Sequence, residues 1–143
     1  MPIPHRITDR FPYQFEGKNI GLSIARGWVD LFAKLCEDID AVLGDTKRGF
    51  EWSQVKEKFG ASRFYYRLNA TTDKSIADQI ETLVNAAEAK TMKMCLVCSL
   101  PAKGASYGGY YAVLCPDHAK QMLDKGHLPE MWTFDDLQSG EQK

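Results

Sequence analysis

The sequence has neither a strong excess of charge nor a long apolar run. It holds 18 Lys and Arg residues against 19 Asp and Glu residues, a formal net charge of −1. A chain so balanced has no overall field to attract nucleic acid, so such binding would need a local basic patch. No apolar stretch approaches the about 20 residues that span a bilayer, and MPIPHRITDRFPYQF lacks the apolar region of a signal peptide. We therefore expect a cytoplasmic protein with no membrane partner.

Several catalytic motifs are also missing. The sequence contains no glycine-rich phosphate loop, no HExxH motif and no HxE motif paired with PCxxC, the pattern of zinc deaminases. Two of its three histidines, His5 and His127, stand in no recognisable nuclease pattern, and His5 is expected to be exposed. We predict no catalytic residues and a protein that is not an enzyme, with a metal-dependent nuclease as the alternative.

Two short motifs near the C-terminus carry the strongest chemical signal. Cys95 and Cys98 lie in MCLVCSL, and Cys115 and His118 lie in CPDH. A two-residue gap lets both ligands of a tight turn reach one ion, and two such pairs complete the tetrahedron of a structural zinc site. In the cytosol such cysteines bind metal more often than they form disulfides. The sequence therefore predicts a structural Zn²⁺ at these four residues, with His127 as an alternative to His118.

The residues around the two pairs predict the fold of this module. Turns are supplied by Pro101, Gly104, Gly108 and Gly109. The segment YYAVL predicts the return strand of a hairpin, and Pro116 suits the first turn of a helix with Cys115 near its N-cap. A tight turn with the first ligand pair, then a hairpin, then a helix with the second pair at its start resemble a treble-clef zinc finger. So small a segment rarely folds without a disulfide or a bound metal. The metal should therefore supply much of its folding free energy.

Apolar spacing predicts two long helices before the zinc module. In the first, apolar residues recur at helical spacing from Trp28 to about residue 43, and Cys36 beside them is expected in the core. In the second, the apolar spacing starts at Ile76 and runs to about residue 89. Ser75 and Asp78 at its start resemble a capping box.

Alternation of apolar and polar residues predicts two strands, at 20–24 and 62–68. The second has Phe64, Tyr66 and Leu68 on one face and Arg63, Tyr65 and Arg67 on the other. The spacing of Trp52, Val55 and Phe59 predicts a short helix. Residues 45–49 are expected to form a loop, and residues 1–13 an irregular arm. We expect an α+β fold with a small, mainly antiparallel sheet and about three helices. Its predicted parts are a domain at 1–92, a treble-clef-like zinc finger at 93–126 and a tail at 127–143.

Three segments are candidates for a binding surface. Arg63, Tyr65 and Arg67 could stack on bases from an exposed strand, although an ordinary amphipathic strand explains them as well. Lys103 and Lys120 give the zinc finger a modest positive charge. The tail holds Met131, Trp132, Phe134 and Leu137, which either pack on the core or anchor a partner.

Three parts of the sequence together resemble a known group of proteins. They are GWVDLFAKLCEDID, QVKEKFGASRFYY and the Cys/His module, within about residues 20–118. The group consists of small proteins of bacteriophages and prophages of proteobacteria, which have Gly where this chain has Ser99. The resemblance implies a phage setting rather than a mechanism.

By analogy with small phage inhibitors, we expect a non-enzymatic accessory protein that binds a host protein complex. The complex would be a defence effector or a transcription component, as for anti-CRISPR proteins. A nucleic-acid-binding regulatory protein that uses the zinc finger and the Arg63/Arg67 strand is the alternative.

Overall fold

The computed structural model describes residues 5–18, 20–45, 49–125 and 132–133. It is an α+β protein, as predicted. Its elements in chain order are α1 (His5–Arg10), β1 (Gly21–Ile24), α2 (Val29–Leu43), β2 (Phe50–Lys58), β3 (Ala61–Leu68), α3 (Lys74–Thr91), β4 (Lys103–Tyr107), β5 (Tyr110–Leu114), α4 (Pro116–Lys125) and β6 (Trp132–Thr133). Short 3-10 helices lie at Pro12–Phe15 and Arg26–Trp28. Within these ranges, no helix has the length and apolar character that crossing a bilayer requires.

The main sheet is mixed, with the strand order β3-β2-β1-β6. Strand β2 pairs antiparallel with β3, and β1 pairs antiparallel with β6, but β1 and β2 run parallel. Parallel neighbours need a crossover connection, and α2 provides it between β1 and β2. A second sheet is the antiparallel hairpin of β4 and β5. The predicted strands at 20–24 and 62–68 and the hairpin are therefore confirmed.

Helices α2 and α3 pack against the apolar face of the main sheet. Phe32 of α2 stacks on Phe64 of β3 with ring centroids 5.6 Å apart, and it lies 5.2 Å from Trp52 of β2. Ile80 and Thr91 are the fully buried residues of α3. Cys36 is also fully buried, which confirms its predicted place in the core. Burial of these aromatic rings supplies the main driving force for this part of the fold.

Two side chains of α3 cap the outer edge of β3. The backbone N–H of Ser62 donates to Thr91 Oγ1 at 2.9 Å, and that of Phe64 donates to a carboxylate oxygen of Glu88 at 2.9 Å. An edge strand with free backbone donors can pair with another chain. At these two positions α3 closes that route.

Residues 52–58 belong to strand β2, so the predicted short helix there is wrong. A β-bulge shifts the register between Trp52 and Gln54. The extra residue lets Trp52 and Val55 both point into the core, although they are three positions apart. The bulge therefore gives the apolar residues of this strand the same spacing that a helix would have.

Two further local predictions are wrong. The segment expected to be an irregular arm contains α1 and the start of a 3-10 helix, and it buries Ile7 and Phe11. Helix α3 begins at an Asp73 N-cap, whose carboxylate accepts the N–H of Ser75 at 3.2 Å, rather than at a Ser75 capping box. The start of α3 therefore depends on the Asp73 side chain, which the apolar pattern does not report.

Candidate metal centre

The four predicted ligands converge on one point. Cys95, Cys98, Cys115 and His118 each offer one ligand atom, and these atoms lie within 4.8 Å of one another. The Sγ atoms of Cys98 and Cys115 are 3.7 Å apart. His118 Nδ1 lies 3.2 Å from Cys115 Sγ and 3.5 Å from Cys95 Sγ. All the cysteines are free thiols, so this Cys3His cluster could hold a metal ion.

The first ligand pair lies in a tight turn. The N–H of Cys95 donates to the carbonyl of Leu100 at 2.7 Å, and the N–H of Ser99 donates to the carbonyl of Cys95 at 2.9 Å. Ser99 has a φ of 72°, in the left-handed region that glycine adopts most easily. Its hydroxyl donates to the carbonyl of Gly27, and this bond helps to offset the backbone strain. The turn therefore forms with Ser at this left-handed position.

The second ligand pair lies at the start of α4. The carbonyl of Cys115 accepts the N–H of Ala119 at 2.8 Å, which places Cys115 at the predicted N-cap. The backbone N–H of His118 lowers the pKa of the Cys115 thiol to about 7, as at other helix N-termini. Burial raises the pKa of the Cys98 thiol to about 11. A bound metal ion would deprotonate both thiols.

Backbone hydrogen bonds attach this turn to the rest of the fold. Gly27 donates its N–H to the carbonyl of Leu96 at 2.7 Å, and Leu96 donates its N–H to the carbonyl of Val113 at 3.0 Å. Leu96 and Cys95 belong to the same cluster of buried residues as α2 and the main sheet. The ligand cluster therefore lies between the β4–β5 hairpin and the start of α2.

Several other predicted site residues lie outside the described ranges. His127, the alternative ligand, lies outside them, as do the tail residues Met131, Phe134 and Leu137. Trp132 lies in β6, whose backbone pairs with β1 at Ile24. Nothing in the described ranges tests the predicted domain limits.

The predicted surface residues occupy exposed strands and a helix. Arg63, Tyr65 and Arg67 alternate along β3 as expected, and Lys103 and Lys120 are exposed on β4 and α4. Their neighbour Lys56 was missed because its segment was predicted to be helical. The alternation of polar residues at 54, 56 and 58 is the signal that could have identified it.

The sequence also holds a GxSxG pattern at residues 104–108. In esterases the Ser of such a motif occupies a sharp turn between a strand and a helix. Here Ser106 lies within β4 and is paired with Tyr111 of the hairpin. The pattern is therefore not a nucleophile elbow.

Comparison with protein-family models, with curated proteins and with solved structures found no match to this chain. The fold and the site define an α+β protein with a Cys3His cluster that could bind a metal. A functional conclusion must therefore come from the chain's own geometry.

Proposed function

We propose that the protein is a non-enzymatic binding protein whose C-terminal module is held by a structural zinc ion. Tetrahedral zinc, with Zn–S bonds of about 2.3 Å and Zn–N bonds of about 2.0–2.1 Å, separates two sulfurs by about 3.8 Å and a sulfur from a nitrogen by about 3.6 Å. The 3.7 Å between the Sγ atoms of Cys98 and Cys115 and the 3.5 Å between Cys95 Sγ and His118 Nδ1 fit these values, whereas the 3.2 Å between Cys115 Sγ and His118 Nδ1 is shorter. Four protein ligands fill the tetrahedron and leave no position for a catalytic water.

Three exposed aromatic side chains at or near the β2–β3 turn support a protein partner. They are Phe59, Tyr110 and Tyr111, and they are called the aromatic cluster below. A Cβ on Gly60 would lie 2.8 Å from the Tyr111 ring, so the β2–β3 turn touches the hairpin. The hydroxyl of Tyr110 also donates to Glu57 at 3.2 Å. Exposed aromatic side chains supply much of the binding energy at protein interfaces.

Phe59 is the observation that carries the proposal. It is 74% exposed and has a φ of 53°, and Gly60 after it has a φ of 82°. A two-residue hairpin turn with both φ values positive favours Asn, Asp or Gly at its first position. A bulky residue there costs about 1–2 kcal/mol and adds little to the core. Strain combined with exposure indicates a contact outside the chain.

The metal and the aromatic cluster are linked through the hairpin. Tyr110 and Tyr111 begin β5, and Cys115 directly follows its last residue, Leu114. We expect loss of zinc to disorganise the hairpin and so to remove two of the three aromatic residues from the cluster. In the phage setting that the sequence resemblance implies, the partner would be a host complex such as a defence effector or a transcription component.

The test is affinity capture from a lysate of the bacterial host with the zinc-loaded chain as bait. We expect a reproducible protein complex, captured at least about tenfold less well by Phe59→Gly, as for an interface hot spot. Phe59→Gly should be no less stable than the parent chain, because Gly relieves the left-handed strain. Leu123→Ala is the matched control, since Leu123 is 73% exposed on α4. Absence of any reproducible partner, or equal capture by Phe59→Gly, would contradict the proposal.

A further inference from the structure

The face of β2 and β3 that points away from the core carries like charges in opposition. Lys56 and Arg63 stand directly opposite each other across the two strands. Like charges in this position repel and destabilise the pairing. The ion pairs found among the described residues involve neither side chain. The repulsion is therefore not relieved by a carboxylate in that part of the chain.

Positive charge continues along both strands of this face. Lys58 follows Lys56 at the next alternate position of β2, and Arg67 lies farther along β3. Glu51 opposes Arg67, 3.6 Å from its guanidinium, and offsets one charge. Two other carboxylates lie near these strands. Glu57 accepts the N–H of Gly60 and the hydroxyl of Tyr110, and Glu88 accepts the N–H of Phe64 at the edge of β3.

An exposed ring lies among these cations. Tyr65 is 42% exposed, and Lys56 Nζ lies 5.7 Å from the centre of its ring. Its cross-strand neighbour is the polar Gln54. Bases stack on exposed aromatic rings, and neighbouring cations hold the phosphates, so one small area offers both contacts.

We propose that this basic sheet face, formed by Lys56, Lys58, Arg63, Tyr65 and Arg67, binds a single-stranded nucleic acid. Charge complementarity identifies the ligand, because a polyanion removes the repulsion between Lys56 and Arg63. The exposed ring favours a single strand, because its unpaired bases can leave their own stack for the protein surface. This site adjoins the aromatic cluster, because Lys58 Nζ lies 6.0 Å from the centre of the Phe59 ring, but the proposal does not depend on the proposed protein partner.

The test is fluorescence anisotropy with labelled oligothymidine and the zinc-loaded full chain, over a salt series. The double variant Lys56→Ala, Arg63→Ala should bind at least about tenfold more weakly at low salt. Its slope of log affinity against log salt should be shallower by about 1.4, because each lost phosphate contact contributes about 0.7 on single strands. Tyr65→Ala should weaken binding without changing the slope, and Tyr65→Phe should bind like the parent chain.

Two control pairs of substitutions test whether binding depends on this face of the sheet in particular. Lys34→Ala with Lys74→Ala removes the same charge from α2 and α3 and should leave binding within about twofold. Lys103→Ala with Lys120→Ala tests the zinc finger instead and should also leave binding nearly unchanged. The proposal is overturned if the parent chain does not bind oligothymidine at low salt, if it binds a duplex more tightly, or if either control pair lowers affinity as much as the Lys56/Arg63 pair. Thermal melting of each variant separates unfolding from loss of contact.

Discussion

The backbone of Gly27 lies directly against the carbonyl group of Cys95, the first ligand of the metal centre. A Cβ added to Gly27 would come 2.3 Å from the Cys95 oxygen and 2.9 Å from the Leu96 oxygen. A side chain at this position therefore forces the turn to move. The Gly of the Gly-Trp pair that precedes α2 is explained by this close approach.

Substitution of Gly27→Ala should separate the turn from the start of α2. We expect the free energy of unfolding to fall by about 1–3 kcal/mol, as for other overpacked sites, and zinc affinity to fall with it. Urea denaturation and chelator competition measure the two effects. Gly21→Ala is the matched control, because its Cβ would meet only the Gln54 side chain at 3.6 Å. Equal effects of both substitutions would contradict this account.

Metal content should depend on the cluster cysteines and not on Cys36. Elemental analysis of protein purified without chelators should find about one zinc per chain, because the four ligands complete one tetrahedral site. Cys98→Ser and Cys115→Ser should lose most of this zinc and melt at lower temperature. Cys36→Ala should keep it, since that thiol is buried in the core. If the parent chain purified without chelators contained no zinc, the site would be ruled out.

Zinc affinity should fall as the pH falls, because protons compete with the metal for the thiolates. The metal-free Cys98 thiol, with its pKa raised to about 11, competes throughout the neutral range. The Cys115 thiol, with its pKa lowered to about 7, competes mainly below that pH. Protonation of Cys115 by itself should therefore increase the slope of log zinc affinity against pH by about one as the pH falls through 7. Chelator competition between about pH 8 and 6 measures it, and a constant slope would contradict it.

The buried side chain of Gln14 should be important for stability. Its Nε2 donates to the carbonyl of Cys36 at 3.0 Å, and its Oε1 accepts the Trp52 indole N–H at 3.0 Å. Gln14→Leu leaves the Trp52 indole N–H unsatisfied in the core and removes a second donor from the Cys36 carbonyl of α2, so we expect a loss of about 1–3 kcal/mol in urea denaturation. Gln79→Leu, at an exposed site of α3, should change stability by no more than about 0.5 kcal/mol. Similar losses in both variants would show that the Gln14 network contributes little.

The sequence by itself determined the features that depend on local spacing. The apolar repeats of α2 and α3 and the alternation of β3 predicted these elements, because side-chain periodicity follows from the backbone of one element. The two-residue gaps identified Cys95, Cys98, Cys115 and His118 for the same reason, since each pair is placed by its own turn. The α+β class followed from the order of these elements.

Tertiary structure decided which distant residues meet. The bulge after Trp52, which disguised β2 as a helix, exists only as a mismatch between two paired strands. The opposition of Lys56 to Arg63 depends on that register. The requirement for Gly at position 27 depends on a turn almost 70 residues away in the sequence, where Cys95 lies. Such relationships are set by packing between elements, and no local pattern of residue types reports them.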